Sequence, residues 1–114
     1  MSGQRSTIEI DPNVLVKIII EKSKAGKLNW QETVMDDVFI ASVGGNTTIK
    51  VTAVPYTGAN LKKSLTLLDE VGEPLLEVSS HEVPAVDEVF TLARTTALKK
   101  DERIQSFIEV LQRL

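Results

Sequence analysis

The chain contains no cysteine, a single histidine (His81), and only one tryptophan, one tyrosine and three phenylalanines among its 114 residues. The lack of cysteine excludes disulfides, thiolate metal sites and a thiol nucleophile. It also fits a reducing compartment. One histidine leaves any zinc site to be completed by carboxylates alone, an unusual ligand set. The small aromatic complement argues against a stacking platform for single-stranded nucleic acid. No apolar run is long enough to cross a bilayer, since the longest, Val14 to Ile20, is interrupted by Lys17. The segment from Met1 to Asp11 is polar and has no apolar centre, so it does not read as a signal peptide. The expectation is a soluble, cytoplasmic protein of bacterial or phage style.

What is present describes an ordinary globular chain. Hydrophobic residues make up 42% and charged residues 25%, a balance that argues against disorder. The net charge of −3 gives no general attraction to nucleic acid or anionic membrane. Residues 1–10 read as a flexible tail, with weak alternation at Thr7-Ile8-Glu9-Ile10, and residues 11–114 as one domain.

Asp11-Pro12 is a helix start, an N-cap acid followed by proline at the first helical position. The helix should run to about Ala25, with Gly26 closing it in a left-handed conformation and Leu28 at C″ packing back on the last turn. Val14, Leu15, Val16, Ile18, Ile19 and Ile20 cover well over half of its circumference. A helix resting on one sheet needs a single apolar stripe, so a second cover is implied. Either other helices of the chain or a second subunit would supply it.

From Trp30 to Ser79 the apolar period changes to two, the mark of antiparallel strands with one covered face. Strands are predicted near Asn29–Val34, Val38–Val43, Thr47–Val54, Leu61–Leu68 and Glu73–Ser79. Gly44-Gly45-Asn46 is a hairpin loop, and Asp69-Glu70-Val71-Gly72 has the residues of a β-turn. Pro74 belongs at the start of an edge strand. Two helices complete the pattern. The first, from about Pro84 to Leu98, buries Val86, Val89, Phe90, Ala93 and Ala97. The second, from Glu102 to about Arg113, buries Ile104, Phe107, Ile108 and Leu111. A single helix through Lys100 is the alternative, because no glycine or proline forces a stop. The fold class is therefore α+β: a five-stranded antiparallel β-meander with one N-terminal helix and one or two C-terminal helices.

The run Lys24-Ala25-Gly26-Lys27-Leu28-Asn29-Trp30-Gln31-Glu32-Thr33, together with Leu68-Asp69-Glu70-Val71-Gly72 and Leu92-Ala93-Arg94-Thr95-Thr96-Ala97, resembles a group of short bacterial α+β proteins. They share a G-K-L-x-W-x-x-T segment opening the first strand, a meander and C-terminal helices. The resemblance spans most of the chain from Asp11 onward. It implies this architecture and carries no assigned activity.

The sequence offers few groups in catalytic arrangements. No serine lies in a G-x-S-x-G elbow, and Ser79 and Ser80 are chain neighbours of His81, whereas triad members converge from separate elements. The acidic pairs Asp36-Asp37, Asp69-Glu70, Asp87-Glu88 and Asp101-Glu102 all fall in turns or first helical turns, where each has a local role. Gly44-Gly45 joins two strands and lacks the lysine and helix of a phosphate loop. No catalytic residue, metal ligand or cofactor-binding residue is assigned, and no enzyme activity is expected.

The first functional reading is a non-enzymatic protein-interaction or accessory module, regulatory or immunity-type, forming a homodimer. Val16 and Ile20 are the candidate self-association residues. Tyr56, Lys62 and Lys63 are candidates for docking a partner, since the 55–60 loop combines an aromatic, a glycine and nearby cations. Trp30 is either a core-edge anchor or a binding platform. The alternatives are a small-molecule binder with a pocket between sheet and C-terminal helix, and a nucleic-acid-associated protein using Lys22, Lys24 and Lys27, Lys62 and Lys63, or Arg94, Lys99 and Lys100.

Overall fold

The structure, a computed structural model, describes residues 10–55 and 61–114. The expected tail up to residue 9 and the Tyr56 loop lie outside the described residues. Helix α1 spans Pro12–Lys24. Asp11 is its N-cap, extended at φ −88° and ψ 111°, and its carboxylate accepts from the Asn13 amide at 2.9 Å. At the other end Gly26 takes φ +74°. Its amide donates to the Ser23 carbonyl at 3.1 Å and that of Lys27 to the Lys22 carbonyl at 2.9 Å. This crossed pair is a Schellman closure. Lys27 is thus the C″ residue, one position before the Leu28 expected there; Leu28 packs against the edge of the core instead.

Five strands follow in the order of the chain, each antiparallel to the next. They are β1 (Gln31–Glu32), β2 (Val38–Val43), β3 (Thr47–Pro55), β4 (Leu61–Leu68) and β5 (Pro74–Ser79). Strand β1 has two residues, where sequence alternation pointed to about six. The Thr33 hydroxyl donates to the Val38 carbonyl at 3.0 Å and accepts from the Met35 amide at 3.1 Å. That local turn competes with the ladder and ends it. The β4–β5 turn is held by Asp69, whose carboxylate accepts from the amides of Val71 at 3.0 Å and Glu73 at 2.8 Å. Gly72 supplies the positive φ of +87° that closes it.

Strand alternation sorts the sheet into two faces. Phe39, Val51, Leu65 and Val78 lie side by side across β2 to β5, next to the row of Ala41, Ile49, Leu67 and Leu76. This face packs beneath the helices. The opposite face carries Ile40, Lys50, Thr66 and Glu77 in one row, and Val38, Thr52, Ser64 and Ser79 in the next.

Helix α2 spans Val86–Gln112 as one uninterrupted element of 27 residues. The expected division at Lys99-Lys100-Asp101 does not occur. No glycine or proline interrupts that run, and its two lysines are good helix formers. At about 1.5 Å per residue α2 is about 40 Å long, whereas a strand of six to nine residues spans about 20–30 Å. The sheet therefore runs out before the helix does. Val86, Val89, Phe90, Ala93 and Ala97 are buried on the sheet as expected. Ile104, Phe107, Ile108 and Leu111 are not: the sequence placed them in the core, and the structure leaves them in solvent. The extents are 69 × 38 × 25 Å and the radius of gyration is 16.8 Å, against about 13 Å for a compact chain of 100 residues.

Candidate interaction surfaces

The core accounts for two of the residues singled out in α1. Val16 is fully buried and Ile20 nearly so, in one cluster with Trp30, Phe39, Val86 and Val89. Their cover comes from within the chain, which removes both from any surface open to a second subunit. The exposed apolar side of α1 is Val14 and Ile18, 54% and 46% exposed.

Trp30 is fully buried as well. Its indole N–H donates to the Ser23 hydroxyl at 3.0 Å. The ring is thus an anchor between the end of α1 and the start of the sheet. Among the described residues no buried side-chain polar atom lacks a hydrogen bond.

Lys63 lies on the helix-facing side of β4. Its ammonium is 3.5 Å from an Asp87 carboxylate oxygen in the first turn of α2 and 5.9 Å from the centre of the Phe90 ring. Phe90 in turn meets Phe39 edge to face, with centroids 5.6 Å apart. A second bridge, Lys24 to Glu88 at 3.0 Å, links the last turn of α1 to the first turn of α2. Both α2 acids sit where the helix dipole favours negative charge. Lys62 alternates to the other face and is half-buried. The structure separates Lys62 from Lys63 across the sheet, so the two do not form one cationic patch. Tyr56 falls outside the described residues.

The acidic pairs behave as local structural groups: Asp69 closes a turn, Asp87 and Glu88 hold cations, and Asp37 occupies a left-handed turn position at φ +58°. Among the described residues no three carboxylates or imidazoles gather as metal ligands. No helix there is long and apolar enough to cross a membrane.

Two kinds of surface remain. The first is a pair of open depressions of about 300 and 340 Å³ that share Asp37 and Arg94, with mixed charge in their walls. The second is apolar. A groove of about 240 Å³ runs between α1 and the sheet, walled by Leu15, Ile18, Leu28, Val43, Ile49 and Leu67. It is smaller than the roughly 300–1,000 Å³ usual for ligand pockets. The C-terminal part of α2 is apolar too, with Ile104, Phe107 and Leu111 58%, 65% and 52% exposed. Spacings of three and four residues place them on one side of the helix with Ile108, and Leu114 follows just beyond the C-cap.

Sequence periodicity found this stripe but assigned it to the wrong environment. The signal that could have corrected it is length: a continuous helix of 27 residues is longer than any of the strands and cannot be covered by them along its whole length. Comparison with protein-family models, curated proteins and solved structures finds no match to the chain.

Proposed function

We propose that the chain is a non-enzymatic protein-interaction module, accessory in role and homodimeric, and that the projecting end of α2 is its binding element. One observation carries this reading. Ile104, Phe107, Ile108 and Leu111 form a continuous apolar stripe on α2 that the chain itself leaves in water. An exposed patch of this kind marks an interaction site far more often than it is neutral surface. Burying it against a partner recovers about 25 cal/mol for each Å² removed from water. The regulatory or immunity-type role belongs to the same reading, because such proteins act by docking and need no reactive group.

Sedimentation equilibrium of the whole chain tests the homodimer. A mass that rises to twice the monomer value in the micromolar range supports it. A monomer at every concentration up to the millimolar range removes it.

A further inference from the structure

We infer that the loop after α1 and the middle of α2 together form a binding site for a small phosphate dianion, either inorganic phosphate or a phosphomonoester. Another depression, of about 220 Å³, lies between these two segments. Its walls carry Lys27 and Asn29 from the loop, and Thr96, Lys99 and Arg103 from α2. Three cations thus converge from two separate elements, and no carboxylate is among the described lining residues. None of the three is held in an ion pair among the described residues, whereas Lys24 and Lys63 are taken up by Glu88 and Asp87. Gathering like charges around one hollow is electrostatically unfavourable. A bound anion reverses the sign of that interaction and accepts charge-assisted hydrogen bonds. The site is complete within one copy of the chain.

Helix electrostatics do not account for the grouping. Lys27 follows the carbonyl end of α1, where the dipole favours a cation. Lys99 and Arg103 lie well inside α2, four residues apart, a spacing at which like charges disfavour the helix. The carbonyls that end α1 are already occupied: those of Glu21, Lys22 and Ser23 accept from the amides of Ala25, Lys27 and Gly26. Thr91 returns its hydroxyl to the Asp87 carbonyl at 3.1 Å. Thr96 makes no such bond among the described residues, which leaves its O–H to donate. The small extent of the cluster selects the ligand. A nucleic-acid strand needs a track of cations, and here the track stops. Lys24 and Lys63 hold carboxylates, and Arg94 shares both of its depressions with Asp37. An arginine fork beside two ammonium groups suits the oxygens and double charge of one phosphate.

An amide NMR titration of the whole chain tests this, using sodium phosphate, glycerol phosphate and a short oligothymidylate, each against sodium chloride at equal ionic strength. The amides of Lys27, Asn29, Thr96, Lys99 and Arg103 should shift together and saturate with at least one of the two small phosphates, and stay in place with chloride. Saturation by inorganic phosphate alone assigns the site to the free ion, and saturation by glycerol phosphate alone assigns it to a monoester. Lys27→Gln and Arg103→Gln, both at exposed positions, should each weaken binding about tenfold, the loss of one charge-assisted hydrogen bond. Lys50→Gln removes the same charge from the opposite face of the sheet and should leave binding unchanged. Three results overturn the inference: shifts that follow ionic strength alone, Lys50→Gln affecting binding as much as the two site variants do, or the oligothymidylate saturating these amides at a lower phosphate concentration than either small compound.

Discussion

Trp30 donates its indole N–H to the Ser23 hydroxyl at 3.0 Å, with both side chains buried. This one bond ties the last turn of α1 to the residue that leads into β1. It is also why a tryptophan, and no purely apolar ring, suits the position: the polar edge of the indole has a partner seven residues back. Ser23→Ala leaves a buried donor without an acceptor and is expected to cost about 1–3 kcal/mol. Adding Trp30→Phe to Ser23→Ala removes the orphaned donor, so the double variant should lose less than the sum of the two single changes. Urea denaturation of the four proteins measures this coupling; strict additivity would show that the bond contributes nothing.

Lys63 is expected to behave as a stabilising residue. Its stem and charge cover Phe90, while the bridge to Asp87 is largely solvated, with the Asp87 side chain 59% exposed. Exposed pairs contribute about 0–1 kcal/mol. Asp87→Asn should therefore shift the unfolding midpoint little, and less still in high salt. Lys63→Ala should cost more, because it uncovers an aromatic ring. Equal effects of the two changes, measured by thermal denaturation, would contradict this account.

Gly26 closes α1 with φ +74° and has open space around it. Gly26→Ala meets no clash, so its effect isolates the backbone. A loss of about 1 kcal/mol is expected from forcing a Cβ into the left-handed region. An unchanged denaturation midpoint would mean that the helix ends differently in solution.

Phe107→Glu and Leu111→Glu place charges where the end of α2 meets only water in the monomer. Neither should lower the melting temperature of the dissociated chain, since exposed positions away from the core usually change stability by about 0.5 kcal/mol or less. Both should weaken self-association at least tenfold, as for anchors at the centre of an interface. Circular dichroism at low concentration and sedimentation at high concentration separate the two effects. A variant that unfolds at low concentration would show that this end of α2 is packed within its own subunit.

The meander was legible because its signals are local. Alternation in β2 through β5, paired glycines at 44 and 45, and Asp69 with Gly72 at a turn each act within a few residues. The helix cap at Asp11-Pro12 is local for the same reason. What covers the apolar stripes was harder to read. Period alone shows that Val16, Ile20, Ile104 and Phe107 lie on apolar stripes and is silent on what covers them. The first two are inside and the last two outside. That outcome depends on the relative lengths of α2 and the strands, a property of the assembled fold. Lys62 and Lys63 carry the related lesson that adjacent strand residues point apart.

The two ends of the meander have a consequence for how copies can meet. Edge strand β1 offers only two residues of ladder, and edge strand β5 begins with Pro74, which has no amide hydrogen to give, and carries Glu77 at its middle. Short length, proline and charge are the means by which sheets resist growing into one another. Backbone-to-backbone accretion into fibrils is thereby discouraged at both borders. Any contact between copies is then left to side chains and not to strand ladders.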